Sequence, residues 1–459
     1  MPSFLGSPGL TTLPPWKVTA LASIATFVVQ LDGSALNVAL PTIGRLFGAS
    51  LSGLQWAVDA YTLAYSCLLL SAGAASDRFG PRCVFGWGLG VFVIASSLCA
   101  LAPNMEALIL GRVLQGAGGS ILTPSSLALI SQAYGDDRTT RAKAIGWWTA
   151  GGGVAITAGP IVGGLFIGSV GWRGIFLVNL PICLAGLAFA SRRLAAQPTR
   201  SVPLGHDRAG QALAAVAMLG LVAGLIEGGS RGWNPGVMFG GIAVFMSAGA
   251  MFLRQEGRVL YPVLPLSLFR DRATCTAMVV GVVLSFCSFG TVFALSIYYQ
   301  SVQGYSPVET GLAFIPFALT ITAANLVGST FAVRIGAART MIAALMVCVS
   351  GYALLLRMEP SSTYAEMLAA QIMVRLGIGA SVPLTTSMLL SSISATQVGT
   401  ASAALNALRQ AGAAIGVAVF GALMVTSPSW GFQMAALLSA VLLAAAAIVV
   451  VVLSGSKSA

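Results

Sequence analysis

Long apolar runs of roughly 18 to 28 residues, each closed by glycine, proline or a cluster of charge, follow one another along the whole chain. That length suits a helix crossing a bilayer, whereas apolar stretches of 10 to 14 residues are more typical of a buried core helix. The pattern predicts fourteen helices, over 17–46, 52–75, 82–102, 106–132, 141–168, 173–191, 209–228, 235–254, 273–299, 308–333, 339–357, 364–391, 397–425 and 430–454. The fold class expected is an all-α polytopic membrane protein. The longest segments between runs, 192–208 and 255–272, are too short for a catalytic domain, so no enzyme is expected.

Composition agrees: of 459 residues 57% are hydrophobic and only 8% charged. The net charge of +11 would suit a nucleic-acid partner if it covered a water-facing surface, but these charges sit in gaps between apolar runs and carry topology instead. Of 24 Lys and Arg residues, four (Arg45, Arg173, Arg231, Arg357) fall on one side of the alternating spans and three (Arg112, Arg375, Arg409) within them. The other 24 − 4 − 3 = 17 share the side of Lys17, which places both termini in the cytoplasm by the positive-inside rule. The seven cysteines lie in or beside apolar runs without a CxxC pair and read as small buried hydrophobes. The first residues lack a basic n-region, so no cleaved signal peptide is expected.

A weak internal repeat runs through this pattern. "LFGASLSGLQWAV" from Leu46 resembles "VQGYSPVETGLAF" from Val302, and "GRVLQGAG" from Gly111 resembles "VRLGIGAS" from Val374. The offsets are close, 256 from Gly48 to Gly304 and 263 from Arg112 to Arg375. Two six-helix halves of like orientation, 1–191 and 273–459, are therefore expected to flank a segment, 192–272, that carries an inserted pair at 209–254. Parallel repeats of this kind place a transporter's substrate site between the halves near the midplane.

Polar residues inside the runs are the candidates for chemistry, because an ionisable group in hydrocarbon is costly and faces the bundle interior. Asp32 and Asp59 are the carboxylates clearly inside first-half spans; Glu106 and Glu227 lie near span ends, as do Glu309, Glu359 and Glu366 in the second half. The sole histidine, His206, is in a loop, which excludes a membrane histidine relay. A carboxylate taken out of water holds its proton more firmly and releases it when water or a cation arrives, so such a residue can couple proton movement to a change of exposure. At ~1.5 Å per residue, Asp32, Asp59 and Arg112 fall at a similar depth. Arg112 is expected to pair with Asp32 or Asp59 in one state, and the alternative is a permanent ion pair holding helices one, two and four together. Gln55, Asp59, Thr62 and Ser66 form one polar stripe, and Arg112 shares a face with Gln115 and Gly119.

For a substrate, the candidate lining is Gln30, Asn37, Gln55, Trp56, Tyr61, Tyr65, Gln115, Trp147, Trp148, Phe289, Tyr298, Tyr299, Gln300, Asn406, Arg409 and Gln410. Trp56 lies beside Asp59 and suits stacking on a planar or cationic compound; Tyr61 and Tyr65 lie on another face that could equally meet lipid or a helix. Arg375 and Arg409 have no evident acidic partner in their own half. A structural or gating role is favoured for them, and an anionic group on the substrate is the alternative. Helix five concentrates Gly146, Gly151, Gly152, Gly153, Gly159, Gly163 and Gly164 around Pro160, which allows close approach and bending. After helix two, Asp77, Arg78 and Arg82 could form a latch that breaks and remakes between states.

Four motifs give a resemblance. "LDGSALNVALP" (Leu31 to Pro41), "GAASDRFGPR" (Gly73 to Arg82), "LILGRVLQGAGG" (Leu108 to Gly119) and "GWWTAGGGVAITAGPIVGG" (Gly146 to Gly164) occur in order on the first, second-to-third, fourth and fifth helices. The chain resembles the major facilitator superfamily in its fourteen-span drug:proton antiporter branch, the QacA/EmrB type. Departures are Ser34 where Thr is usual, Pro81 where Arg is usual and Ala155 for one Gly. The resemblance implies a cytoplasmic-membrane protein exporting lipophilic, in some cases cationic, compounds by alternating access. It also implies the proton-motive force as energy source, no cofactor or metal, a small molecule, protons and membrane lipids as partners, no nucleic acid, and a functional monomer. Helix five would be the hinge and seal that favours exchange, and the first-helix motif favours Asp32, with Asp59 its close rival, as the carrier of the coupling proton. A dedicated exporter of one antibiotic or metabolite is the alternative; an uptake symporter or a transport-inactive sensor fits less well, since the ExxER-type cluster of peptide symporters is missing.

Overall fold

The computed structural model describes residues 14–135, 137–193, 207–231, 234–259, 262, 264, 266–393, 398–425 and 427–455; His206 and Lys457 lie outside them. Helices α1 (Pro15–Phe47), α2 (Leu51–Phe79), α3 (Pro81–Ala100), α4 (Met105–Tyr134), α5 (Arg138–Ser169), a short α6 (Gly174–Leu177) and α7 (Asn179–Arg193) build the first half. An α8 (Arg208–Ser230) and α9 (Pro235–Glu256) hairpin follows, and then α10 (Arg272–Ser301), α11 (Pro307–Ile335), α12 (Ala337–Leu355), α13 (Tyr364–Ser392), α14 (Val398–Met424) and α15 (Pro428–Gly455) build the second. Among the described residues twelve helices are long and apolar enough to cross a membrane, and thirteen when the bent pair in α5 counts as one span. The 29-residue α2, which carries the polar stripe, is not among them.

The repeat is visible in the turns. Gly48 (φ 60°) and Gly304 (φ 71°) close the turns after α1 and α10 in the left-handed region, and Gly80 (φ 85°) and Gly336 (φ 91°) do the same after α2 and α11. Both pairs are 256 apart, since 304 − 48 = 336 − 80 = 256. Ser50 and Ser306, also 306 − 50 = 256 apart, cap the next helices through their hydroxyls, the second with Glu309 completing a capping box. One structural unit is thus written twice.

Within the first half α1 packs on α5 and α4, and α2 and α3 on α4; within the second α10 packs on α14, and α13 on α11 and α12. The halves meet along α5 with α11, α2 with α14, and α1 with α10. The inserted α8 lies against both α2 and α14, so it spans one of these seams. The side on which α1 begins is termed the near face, and the opposite side the far face. Ser296 donates to the Asn37 carbonyl at 2.6 Å, Gln300 to the Val38 carbonyl at 2.9 Å and Gln55 to the Ala418 carbonyl at 2.8 Å, all towards the far face. The inter-half face of α14 illustrates the divergence towards the near face: Val417 is buried, while Asn406 is exposed. The halves form a wedge closed at the far face.

Candidate functional site

The first-half site is built around Asp32, which α1 buries to 1% exposure. Arg112 from α4 forms a short ion pair with its Oδ2, while Gln115 Nε2 and Asn179 Nδ2 each donate to its Oδ1 at 2.7 Å. Arg112 Nη1 also donates to Gln115 Oε1 at 2.7 Å and Nε to the Ala57 carbonyl at 3.1 Å; its guanidinium lies 4.3 Å from the centre of the Tyr61 ring. Ser96 Oγ accepts from Gln115 at 3.0 Å and from Asn179 at 3.3 Å. The network ties α1, α2, α3, α4 and α7 together. Both members of the pair have further hydrogen bonds, which is what a buried ion pair needs to be tolerated.

Asp59 is treated quite differently. It is fully buried in α2, and among the described residues neither carboxylate oxygen has a hydrogen-bond partner. One turn away Gln55 crosses the seam to Val417 and Ala418, so Asp59 sits on the stripe of α2 that closes against the second half. Arg112 pairs with Asp32, and the acid left without an ion pair among the described residues is the one on the seam between the halves. The other members of the stripe, Thr62 and Ser66, satisfy their hydroxyls on carbonyls of α2 itself.

The Major Facilitator Superfamily model matches residues 22–417 and 277–458. The chain belongs to that superfamily. It is 34% identical over 93% of its length to 89% of a methylenomycin A resistance protein of Streptomyces coelicolor. It is also 30% identical over 90% of its length to 76% of a tetracenomycin C resistance and export protein of Streptomyces glaucescens, and 32% identical over 89% to 76% of the multidrug resistance protein Stp of Mycobacterium tuberculosis. In fold it is similar to a bacterial homologue of the human lysosomal transporter Spinster, with TM-score 0.67, 14% identity and 98% of each chain covered. This facilitator is a multi-pass membrane transporter and not an enzyme.

The remaining candidate residues take defined places in the facilitator. Trp56 donates its indole N–H to Glu227 of α8 at 2.9 Å, so the ring expected beside a substrate is tied to the inserted hairpin. Tyr61 donates to the Val29 carbonyl at 3.1 Å and Tyr65 to Thr123 at 2.9 Å; both are buried among helices of the first half, away from lipid. Tyr299 is buried, accepts from Gln371 and stacks on Tyr305 with ring centres 5.2 Å apart; Tyr298 donates to the Glu359 carbonyl at 3.1 Å. Asn37 bonds within α1, while Gln300 belongs to the far seal. Towards the open side lie Trp147, 74% exposed, Phe289, 39% exposed, the exposed Asn406 and the half-buried Gln30 and Gln410; Trp148 is held by Ser126 at 3.0 Å. A depression of about 510 Å³ on the far face, lined by Arg45, Leu54, Gln300 and Met424 among others, touches Gln300 alone of these candidates.

Helix α5 bends by 42° between Lys143–Ile156 and Ala158–Ser169, as expected where Pro160 deletes a backbone donor. Its glycines divide by target. A Cβ on Gly159 or Gly163 would strike Ser34 or Ala35 of α1, whereas one on Gly164 would lie 2.7 Å from the Pro307 carbonyl oxygen of α11. Gly311 returns the contact, 2.6 Å from the Pro160 carbonyl oxygen. At the near face Arg82 donates to the Ser191 carbonyl at 2.7 Å and Arg78 lies over the Phe79 ring at 5.1 Å; the Asp77 side chain lies outside the described residues.

Asn179 and Ser96 of the Asp32 network are not among the sequence candidates, and the sequence places Glu227 near a span end but assigns it no partner. Asn179 had a readable signal, a lone amide before Pro181 in an otherwise apolar run. Ser96 had none, because small hydroxyl residues are common in membrane helices.

Proposed function

We propose that the protein is a fourteen-span, proton-coupled exporter of lipophilic small molecules in the cytoplasmic membrane, working as a monomer by alternating access, with both termini and the near face in the cytoplasm. The observation that carries the reading is the contrast between the two acids. Asp32 has a full set of partners, while Asp59 is buried without one beside the far-face seal. A lone carboxylate in that position costs several kcal/mol as an anion, so it is accommodated in the closed seam as the neutral acid. Opening the α2/α14 seam would expose Asp59 to the outside, where it takes a proton; closing the seam commits that proton to the inward-facing state. Asp59 is thus the coupling residue, and Asp32 with Arg112 is the frame that holds α1 and α4. The α5/α11 glycine contact and the Ser296, Gln55 and Gln300 bonds form the outer gate.

Fourteen spans follow if α2 crosses despite its polar stripe, which its 29 residues and its packing between α4 and α14 support. The energy source is the proton-motive force, with no cofactor. Substrates of one dedicated chemical type form a second reading, supported by the relatives named for single antibiotics. In proteoliposomes with an imposed pH gradient, substrate-evoked proton movement should disappear in Asp59→Asn. Unchanged coupling in that variant would sink the assignment of the proton to Asp59.

A further inference from the structure

The two halves repeat one another at an offset of 256 in their turns and caps, and the same offset carries Asp32 onto Ser288, since 32 + 256 = 288. Arg112 has its repeat counterpart in Arg375. The structure keeps the pairing: Arg375 Nη1 donates to Ser288 Oγ at 2.6 Å and Nη2 to the Ser288 carbonyl at 3.2 Å. The second half has therefore kept the cation and replaced its acid by a neutral hydroxyl. Arg375 is 2% exposed, its guanidinium lies 3.5 Å from the centre of the Phe317 ring, and its Nε has no hydrogen-bond partner among the described residues. Among the described residues no carboxylate lies within ion-pair distance of it. Nor does one neutralise Arg409 on α14, whose contacts are Thr385, Thr386 and the Val382 carbonyl.

Two membrane-embedded cations without an internal anion are costly unless an anion from elsewhere completes them. Access is provided by Ser288, half-buried and next to Phe289, which is 39% exposed on the side of α10 towards the other half. An acidic group arriving between the halves would displace the Ser288 hydroxyl from Arg375, and its apolar body would lie along Phe317 and Phe289. We propose that the second half holds an anion subsite centred on Arg375 and Ser288, and that the exporter takes lipophilic organic acids in their ionised form. This rests on the efflux reading above and narrows its substrate class. Arg409, nearer the open end of the wedge, supplies attraction on the way in.

The test uses three probes with one body and three head groups: 4-phenylbutyrate, 4-phenylbutyramide and 4-phenylbutylammonium. Each is titrated to millimolar concentration against the purified full-length protein while thermal unfolding is followed. The acid should stabilise the protein with an apparent affinity at least about tenfold above the amide, the usual worth of a charge-assisted bond, and the ammonium should do no better than the amide. Ser288→Asp restores the carboxylate present in the first half; it should raise the melting temperature of the free protein and abolish the extra effect of the acid. Arg375→Gln should also abolish it, and Arg375→Lys should retain part. Equal stabilisation by acid and amide in the unaltered protein overturns the proposal, as does an acid preference that survives Ser288→Asp. Proton coupling through Asp59 is measured separately, so loss of the anion subsite leaves the efflux reading standing, and loss of coupling leaves the subsite standing.

Discussion

Replacing Gly164 by alanine separates a gate contact from ordinary packing. The new Cβ would lie 2.7 Å from the Pro307 carbonyl oxygen and 3.3 Å from Val308 Cα, where ordinary contact begins at 3.4 Å. The seam must therefore open by 3.4 − 2.7 = 0.7 Å, against a rigid carbonyl and not the end of a flexible side chain. Overpacking of this kind costs about 1–3 kcal/mol. The cost falls on the far-closed state alone, because Pro307 and Val308 belong to the other half. At ~1.4 kcal/mol per tenfold, the population should shift towards the far-open state by about 5- to 150-fold. Gly163→Ala is the control: its Cβ would lie 2.5 Å from the Ala35 carbonyl oxygen, inside the first half, and burdens both states alike. The reporter is Ser296→Cys, at a position buried in the seam, labelled from outside intact cells with an impermeant maleimide. Labelling should speed up at least about fivefold with Gly164→Ala and stay unchanged with Gly163→Ala, which should lower the melting temperature instead. Equal labelling in the two variants would refute the claim that this glycine contact belongs to the gate.

Other expectations follow from the same geometry. Asp32→Asn leaves Arg112 buried without its anion and should destabilise the protein by about 3–5 kcal/mol, read as a large loss of melting temperature; Asp59→Asn, which removes no partner, should leave melting unchanged or raise it. Asn179→Ala should cost about 1–3 kcal/mol by removing one of the donors to Asp32, visible in denaturation of the purified protein. Gln55→Ala breaks the bonds to Val417 and Ala418 and should favour the far-open state by up to about tenfold, measured by the same labelling assay. Glu227→Gln keeps an acceptor for Trp56, so substrate-evoked proton movement should persist, whereas a loss would give the inserted hairpin a part in coupling.

The fold class was legible because a bilayer imposes one length and one composition on whatever crosses it. The repeat was legible too, since Gly48 and Gly304 are required by a backbone conformation that other residues rarely adopt. Helix α5 announced its bend through Pro160, but not which glycine meets which neighbour; that depends on helix rotations set by packing. Asp32, Asp59 and Arg112 could be placed at one depth from sequence, yet depth alone left the choice of partner open. Tertiary structure decided it: α4 turns Arg112 towards Asp32, and Asn179, 147 residues away in the chain, completes the cage. Sequence by itself determined which side chains are too polar for oil. Only the packing of helices decided which of them find an opposite charge, as Asp32 does, and which find none among the described residues, as is true of Asp59 and Arg375, because hydrogen bonds are made across helix interfaces that no local pattern encodes.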